Sequence, residues 1–138
     1  MLMIVVGSAV SCTGVRTRRT DLRDAVHEYN IAVRWGHVQK ASTFIPAAKR
    51  AEFVVRKRQA MARMQIHEVS IRNVRLKENN EVAEVLVQLS FSIGADPIIR
   101  NHLVQQHWRY RDAQWLLISR RRVESTATGR APQPDDLY

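Results

Sequence analysis

The residue types that most often bind metals or transfer protons occur in this chain, but their spacing forms no recognised site. Two histidines that share a metal on one helix stand four residues apart, and no pair here does. The single cysteine excludes a thiolate cluster. The five histidines are His27, His37, His67, His102 and His107. We therefore expect no metal site and no cofactor.

The acidic residues give no clear general base. A catalytic carboxylate needs burial and a partner that shifts its pKa, whereas most of these residues fall in turns or at predicted strand ends. Glu68 lies in a strand of undecided phase, so it is the candidate base if the protein is an enzyme. The others considered are Glu28, Glu81, Glu84, Asp96 and Asp112. We predict no catalytic residue.

Cys12 follows an apolar segment, "MLMIVVGSAV" and then Ser11. This segment is shorter than the roughly 20 residues that span a bilayer, but it fits the roughly 7–15 residues of a signal-peptide core. "AVSC" resembles the lipobox of bacterial lipoproteins, in which a cysteine after small residues receives diacylglycerol. The resemblance implies lipidation of Cys12. The alternative is that residues 2–10 form a buried strand or helix and that Cys12 lies in the core.

Basic residues exceed acidic ones, 22 to 13, for a net charge of +9. This excess favours an anionic partner, either anionic lipid or an acidic protein. Nucleic acid is not expected, because no aromatic side chain is interleaved to stack bases. One predicted helix carries a stripe of basic residues opposite its apolar side: Lys49, Arg50, Arg56, Lys57 and Arg63. Its alternative role is an ordinary solvated face.

The aromatic residues allow two interpretations. Tyr29, Trp108 and Tyr110 are the candidates to line a pocket for an apolar ligand. The alternative, which the spacing favours, is that aromatic side chains fill the core between the first helix and a sheet. Trp35 and Trp115 are expected in that core.

The periodicity that must position these residues changes once along the chain. Apolar residues three and four apart predict helices over 20–36, 37–45 and 46–64. From residue 65 the period falls to two, which predicts four antiparallel strands. Their boundaries are turns at Asn79–Asn80, Gly94–Pro97 and Asp112–Ala113. A phase slip between Ile71 and Val74 predicts a β-bulge.

Three helices followed by a β-meander predict an α+β domain, with the helices packed on a curved four-stranded antiparallel sheet that is closed like a cone. "YNIAVRWGHVQKASTFI" and "QHWRYRDAQWLLIS" resemble the opening helices and final hairpin of the nuclear-transport-factor-2-like superfamily, which includes ketosteroid isomerase and the polyketide cyclases. The chain also resembles small proteobacterial lipoproteins built on this domain, and the resemblance covers roughly residues 20–123. The resemblance implies a homodimer through the sheet.

We therefore divide the chain into a signal peptide (1–11), a lipid-anchor tether (12–19), the α+β domain (20–123) and a flexible tail (124–138). The predicted function is a non-enzymatic binding or scaffold domain of the bacterial cell envelope. Cys12 would anchor it to the membrane on the periplasmic side, at the outer membrane. The alternatives are an isomerase or cyclase with a carboxylate base in the cone, and a cytosolic basic module that binds nucleic acid.

Overall fold

The computed structural model describes the backbone of residues 14–123 and the side chains from residue 18 onward. The predicted signal peptide, Cys12 and the predicted tail lie outside these residues. The helical elements are α1 (Gly14–Arg34), α2 (Val38–Ser42), a 3-10 turn (Ala47–Lys49) and α3 (Arg50–Met61). The strands are β1 (Met64–Lys77), β2 (Val82–Ile93), β3 (Arg100–Arg111) and β4 (Gln114–Val123).

Helix α1 buries one apolar stripe and ends at a glycine. Leu22, Val26 and Tyr29 recur at helical spacing and are at most 1% exposed. Gly36 has φ +70°, and the N–H of His37 donates to the carbonyl of Ala32 at 2.8 Å. A glycine with positive φ and a hydrogen bond back across the last turn define a Schellman ending.

Helix α1 starts at Gly14, six residues before the predicted start. Residue 18, expected in a tether, already belongs to the domain. The guanidinium of Arg18 lies 5.0 Å from the centre of the Tyr110 ring, and the Trp115 indole N–H donates to the Arg18 carbonyl at 3.1 Å. Hydrophobic periodicity did not predict this first part of the helix, because its contacts with the sheet are made by an arginine side chain and a backbone carbonyl.

The strands form one antiparallel sheet in the order β1-β2-β3-β4, as predicted. The predicted bulge in β1 is confirmed by a register shift between Ile71 and Asn73. Asp112 and Ala113 both have positive φ, which makes the two-residue turn that suits a hairpin. The first hairpin differs from the prediction: its loop spans residues 78–81, and Glu78 takes positive φ together with both asparagines.

The helices cover one face of this sheet. Val85, Val87, Leu89 and Phe91 alternate along β2, face the helices and are buried. The α+β class with three helices and four antiparallel strands is thus confirmed. Trp35 was wrongly expected in the core: it follows the last residue of α1, is 63% exposed and lies beside Arg34.

Candidate functional site

A cavity of about 480 Å³ lies between α3 and one end of the sheet. Its lining comes from the start of β1, the end of β2, the start of β3 and the end of β4, which antiparallel pairing brings to the same edge. The lining residues are Val33, Arg56, Lys57, Gln59, Ala60, Met61, Arg63, Met64, Ile66, Leu89, Phe91, His102, Val104, Arg120 and Arg122.

The floor of the cavity is apolar. Leu89 and Phe91 on β2 stand beside Ile66 on β1 and Val104 on β3, and all four are buried. The His102 ring packs edge-on against Phe91, with ring centroids 4.6 Å apart. A surface of this kind favours contact with an apolar ligand.

Helix α3 supplies one basic wall, which corrects the predicted stripe. Lys57 is only 6% exposed and lies on the same face as the buried Phe53, whereas Val55 is 57% exposed. The ammonium of Lys57 lies 5.5 Å from the centre of the Phe53 ring. A long lysine stem can occupy an apolar face while its charge reaches the edge.

The rest of the predicted stripe divides between two roles. Arg56 and Arg63 line the cavity, and Arg56 also pairs with Glu52 at 2.6 Å. Arg50 instead donates to the Ile45 carbonyl at 2.9 Å and stabilises the turn before α3. Lys49 lies exposed in the 3-10 turn. The five residues therefore do not form one solvated face.

Strand β4 supplies the opposite basic wall through a bulge. Trp108 pairs with Leu117, but the preceding His107 pairs with Ser119, so Ile118 is an extra residue. The extra residue reverses which side chains face the helices beyond it. Arg120 and Arg122 consequently line the cavity, whereas Arg121 donates to the Gln105 side chain at 2.8 Å on the other face.

The charge of the lining is one-sided. Among the described residues, five cationic side chains and a histidine line the cavity, and no aspartate or glutamate does. Within residues 18–123, no ion pair involves Arg63, Arg120 or Arg122. Charges of one sign beside low-dielectric walls focus the field and attract an oppositely charged ligand.

Glu68, the candidate base, is exposed on β1 and does not line the cavity. In the part of the chain that the structure describes, no group of three histidine, cysteine or acidic residues comes close enough to hold a metal. Within the same residues, no helix is both long and apolar enough to cross a membrane.

The aromatic residues predicted to line a pocket lie elsewhere. Tyr29 and Trp108 are each 1% exposed and pack edge-to-face with ring centroids 5.7 Å apart. Tyr110 packs on Trp115 at 5.4 Å. None of the three is among the cavity-lining residues. The core-filling interpretation describes these positions, and the buried Trp115 fits it too.

A buried polar network adjoins this aromatic core. The side-chain amides of Asn30 and Gln106 bond to each other, with Gln106 Nε2 donating to Asn30 Oδ1 at 2.8 Å. The Trp108 indole N–H donates to Gln106 Oε1 at 3.1 Å. The Tyr29 hydroxyl is also buried but has no hydrogen-bond partner among the described residues. Burial raises the pKa of Tyr29, and the Arg120 charge opposes that rise.

We expect Tyr29→Phe to stabilise the domain, because it removes an unsatisfied buried hydroxyl worth about 1 kcal/mol or more. The gain should grow in alkali. Above the ordinary phenol pKa of 10.0, the unfolded chain releases a proton that the folded chain keeps, so the tyrosine protein loses stability as pH rises. Urea unfolding of both proteins, at neutral pH and above pH 10, measures this difference. The prediction would be contradicted if Tyr29→Phe and the wild type had the same free energy of unfolding at both pH values.

Comparison with known proteins gives the fold. No family model matches the chain, and no curated protein does. A SEC-C motif containing protein from Rhodopseudomonas palustris has a similar structure, with TM-score 0.64 and 14% identity over 82% of this chain and 90% of its own. An NTF2-like protein from Cytophaga hutchinsonii has a TM-score of 0.56 and 10% identity, over 74% of this chain and 93% of its own.

A ketosteroid isomerase-like protein from Erwinia carotovora atroseptica gives a TM-score of 0.58 at 10% identity, over 73% of this chain and 91% of its own. Identities this low show the fold alone. That fold is the nuclear-transport-factor-2-like α+β fold that the sequence resemblance implied.

Proposed function

We propose that this protein is a non-enzymatic binding domain of the bacterial cell envelope that holds an apolar ligand in its cone-like interior. The observation that carries the proposal is the cavity of about 480 Å³, with its apolar floor and with no carboxylate among the lining residues that the structure describes. Its volume falls within the roughly 300–1,000 Å³ of small-molecule sites. A carboxylate base, which the enzyme alternative needs, has no counterpart among the lining residues.

The location is proposed from the sequence. Cys12 stands two residues before the start of α1, so a lipid on its thiol would hold the domain close to a membrane surface. Arg16, Arg18 and Arg19 follow at once. Each basic side chain near an anionic surface contributes about 1 kcal/mol of attraction. Two or more acyl chains would be needed for stable anchoring, because one chain binds only marginally.

The anchoring proposal predicts a processed and lipidated chain. Intact-protein mass spectrometry of the membrane fraction should show a chain that begins at Cys12 and carries the mass of a diacylglycerol. Cys12→Ser should abolish that species. A full-length, unmodified chain in the soluble fraction would refute anchoring and leave the cavity proposal to be judged by itself.

The binding proposal is tested by filling the cavity from the helix side. Ala60 lines the cavity on α3 and is half-buried, so Ala60→Phe should occupy ligand space without disturbing the core. Ala51 lies exposed on the same helix and outside the lining, which makes Ala51→Phe the matched control. The neutral fluorophore N-phenylnaphthylamine should bind the wild type and Ala51→Phe, and should bind Ala60→Phe at least about tenfold more weakly. Equal binding by all three proteins would place the probe outside the cavity and refute the proposal.

A further inference from the structure

We infer that the ligand of this cavity is a single-chain anionic amphiphile, whose acid group lies against Arg120 and Arg122 and whose chain lies on the apolar floor. The inference rests on the proposed function and specifies its ligand class. The shared chemistry is one carboxylate or phosphate head group and one apolar chain.

The first argument is the placement of the guanidinium groups. Arg120 and Arg122 alternate along β4 and therefore project from the same face of that strand into the cavity. Neither takes part in an ion pair within residues 18–123, although ten acidic residues lie in that range. The planar guanidinium fork matches the two oxygens of a carboxylate or phosphate.

The second argument concerns the remainder of the ligand. The side chains of the cavity floor have no polar atoms that could bind an acid group, so a small hydrophilic anion would leave this floor uncovered. The floor residues are Ile66, Leu89, Phe91 and Val104. An apolar chain covers it and gains free energy by leaving water. The volume of about 480 Å³ suits one chain.

The end of the sheet at which the cavity lies also exposes apolar side chains. Ile93, Ile98 and Ile99 are 43%, 61% and 51% exposed on and beside the β2–β3 loop. The N–H of Gly94 in this loop donates to the carbonyl of Arg63, a lining residue, at 2.8 Å. A chain longer than the cavity would therefore meet apolar surface where it leaves the protein.

The test compares ligands that differ only in the head group. Dodecanoate and dodecyl phosphate, each below its micelle concentration, and dodecanol, below its solubility limit, compete with N-phenylnaphthylamine on the full-length protein. We expect either anion to bind at least about tenfold more tightly than the alcohol. The order of the two anions identifies the head group as carboxylate or phosphate.

Paired variants separate specific recognition from overall charge. Arg120→Gln with Arg122→Gln should abolish the preference for the anion while the alcohol still binds. The control, Arg109→Gln with Arg111→Gln, removes the same charge from exposed positions of β3 outside the lining. It should keep the preference.

Three outcomes would overturn the inference. Equal binding of alcohol and anions, or an equal loss of preference in both paired variants, would overturn it and leave a cavity that binds apolar ligands. The proposed function would be overturned as well if none of the three dodecyl compounds bound and if the wild type and Ala60→Phe bound the fluorophore equally.

Discussion

Trp108→Ala is expected to lower the free energy of unfolding by about 3–5 kcal/mol, the cost of removing a large buried aromatic side chain. Trp108 is 1% exposed, and its ring lies 5.7 Å from that of Tyr29 and 6.2 Å from that of Phe44. Alanine would leave a void between α1 and the centre of the sheet that these rings cannot fill. Small domains are stable by about 5–15 kcal/mol, so the variant loses a large share of its stability.

Urea unfolding followed by circular dichroism measures this loss. Trp108→Phe is the matched control, because it keeps most of the ring volume and removes only the N–H bond to Gln106. It should cost clearly less than the alanine variant. A loss below about 1 kcal/mol for Trp108→Ala would show that the core collapses around the missing ring and that Trp108 is not central to packing.

Gln106→Leu should cost about 2–6 kcal/mol, the second large effect. Gln106 is 2% exposed and is hydrogen-bonded to the side chains of Asn30 and Trp108. Leucine would leave the side-chain Oδ1 of Asn30 and the indole N–H of Trp108 without these hydrogen bonds inside the core. Each buried group left unsatisfied costs about 1–3 kcal/mol. Gln105→Leu is the control, because Gln105 lies half-buried on the other face of the same strand. It should change stability by much less.

A double-mutant cycle separates the network from the loss of a side chain. Asn30→Leu with Gln106→Leu removes both amides, so the double variant should be destabilised by less than the sum of the single variants. The Trp108 N–H stays unsatisfied in the double variant, so full recovery is not expected. Strict additivity would show that the two buried amides do not stabilise each other.

The two arginines that define the proposed head-group site were visible in the sequence only as part of a basic run. The alternation of β4 places Trp115 and Leu117 on the inner face, and the same count carried forward would point Arg120 and Arg122 outward. The extra residue Ile118 reverses that assignment. No local signal in "LLISRRR" marks the bulge, because it is set by how β4 pairs with β3.

In helix α3, too, sequence periodicity alone did not determine which side chains are buried. Its apolar residues spread around the helix, so periodicity did not choose between a face with Val55 and a face with Phe53 and Lys57. Packing against the sheet chose the second, since it buries a phenylalanine and leaves the lysine ammonium at the cavity. The predicted stripe put Lys57 on the solvated side of the helix, whereas the structure buries it, and Arg56, Lys57 and Arg63 are the stripe residues that line the cavity.

The amino-acid sequence by itself determined the α+β class, the order of the helices and strands, and the buried faces of β2 and α1. Those features follow from hydrophobic periodicity and turn residues, which act over a few neighbouring positions. Tertiary structure decided which basic residues surround the cavity, where Trp35 lies, and that the Tyr29 hydroxyl is left without a partner. Each depends on pairing register or on contacts between residues distant in the chain, and no short stretch of sequence contains that information.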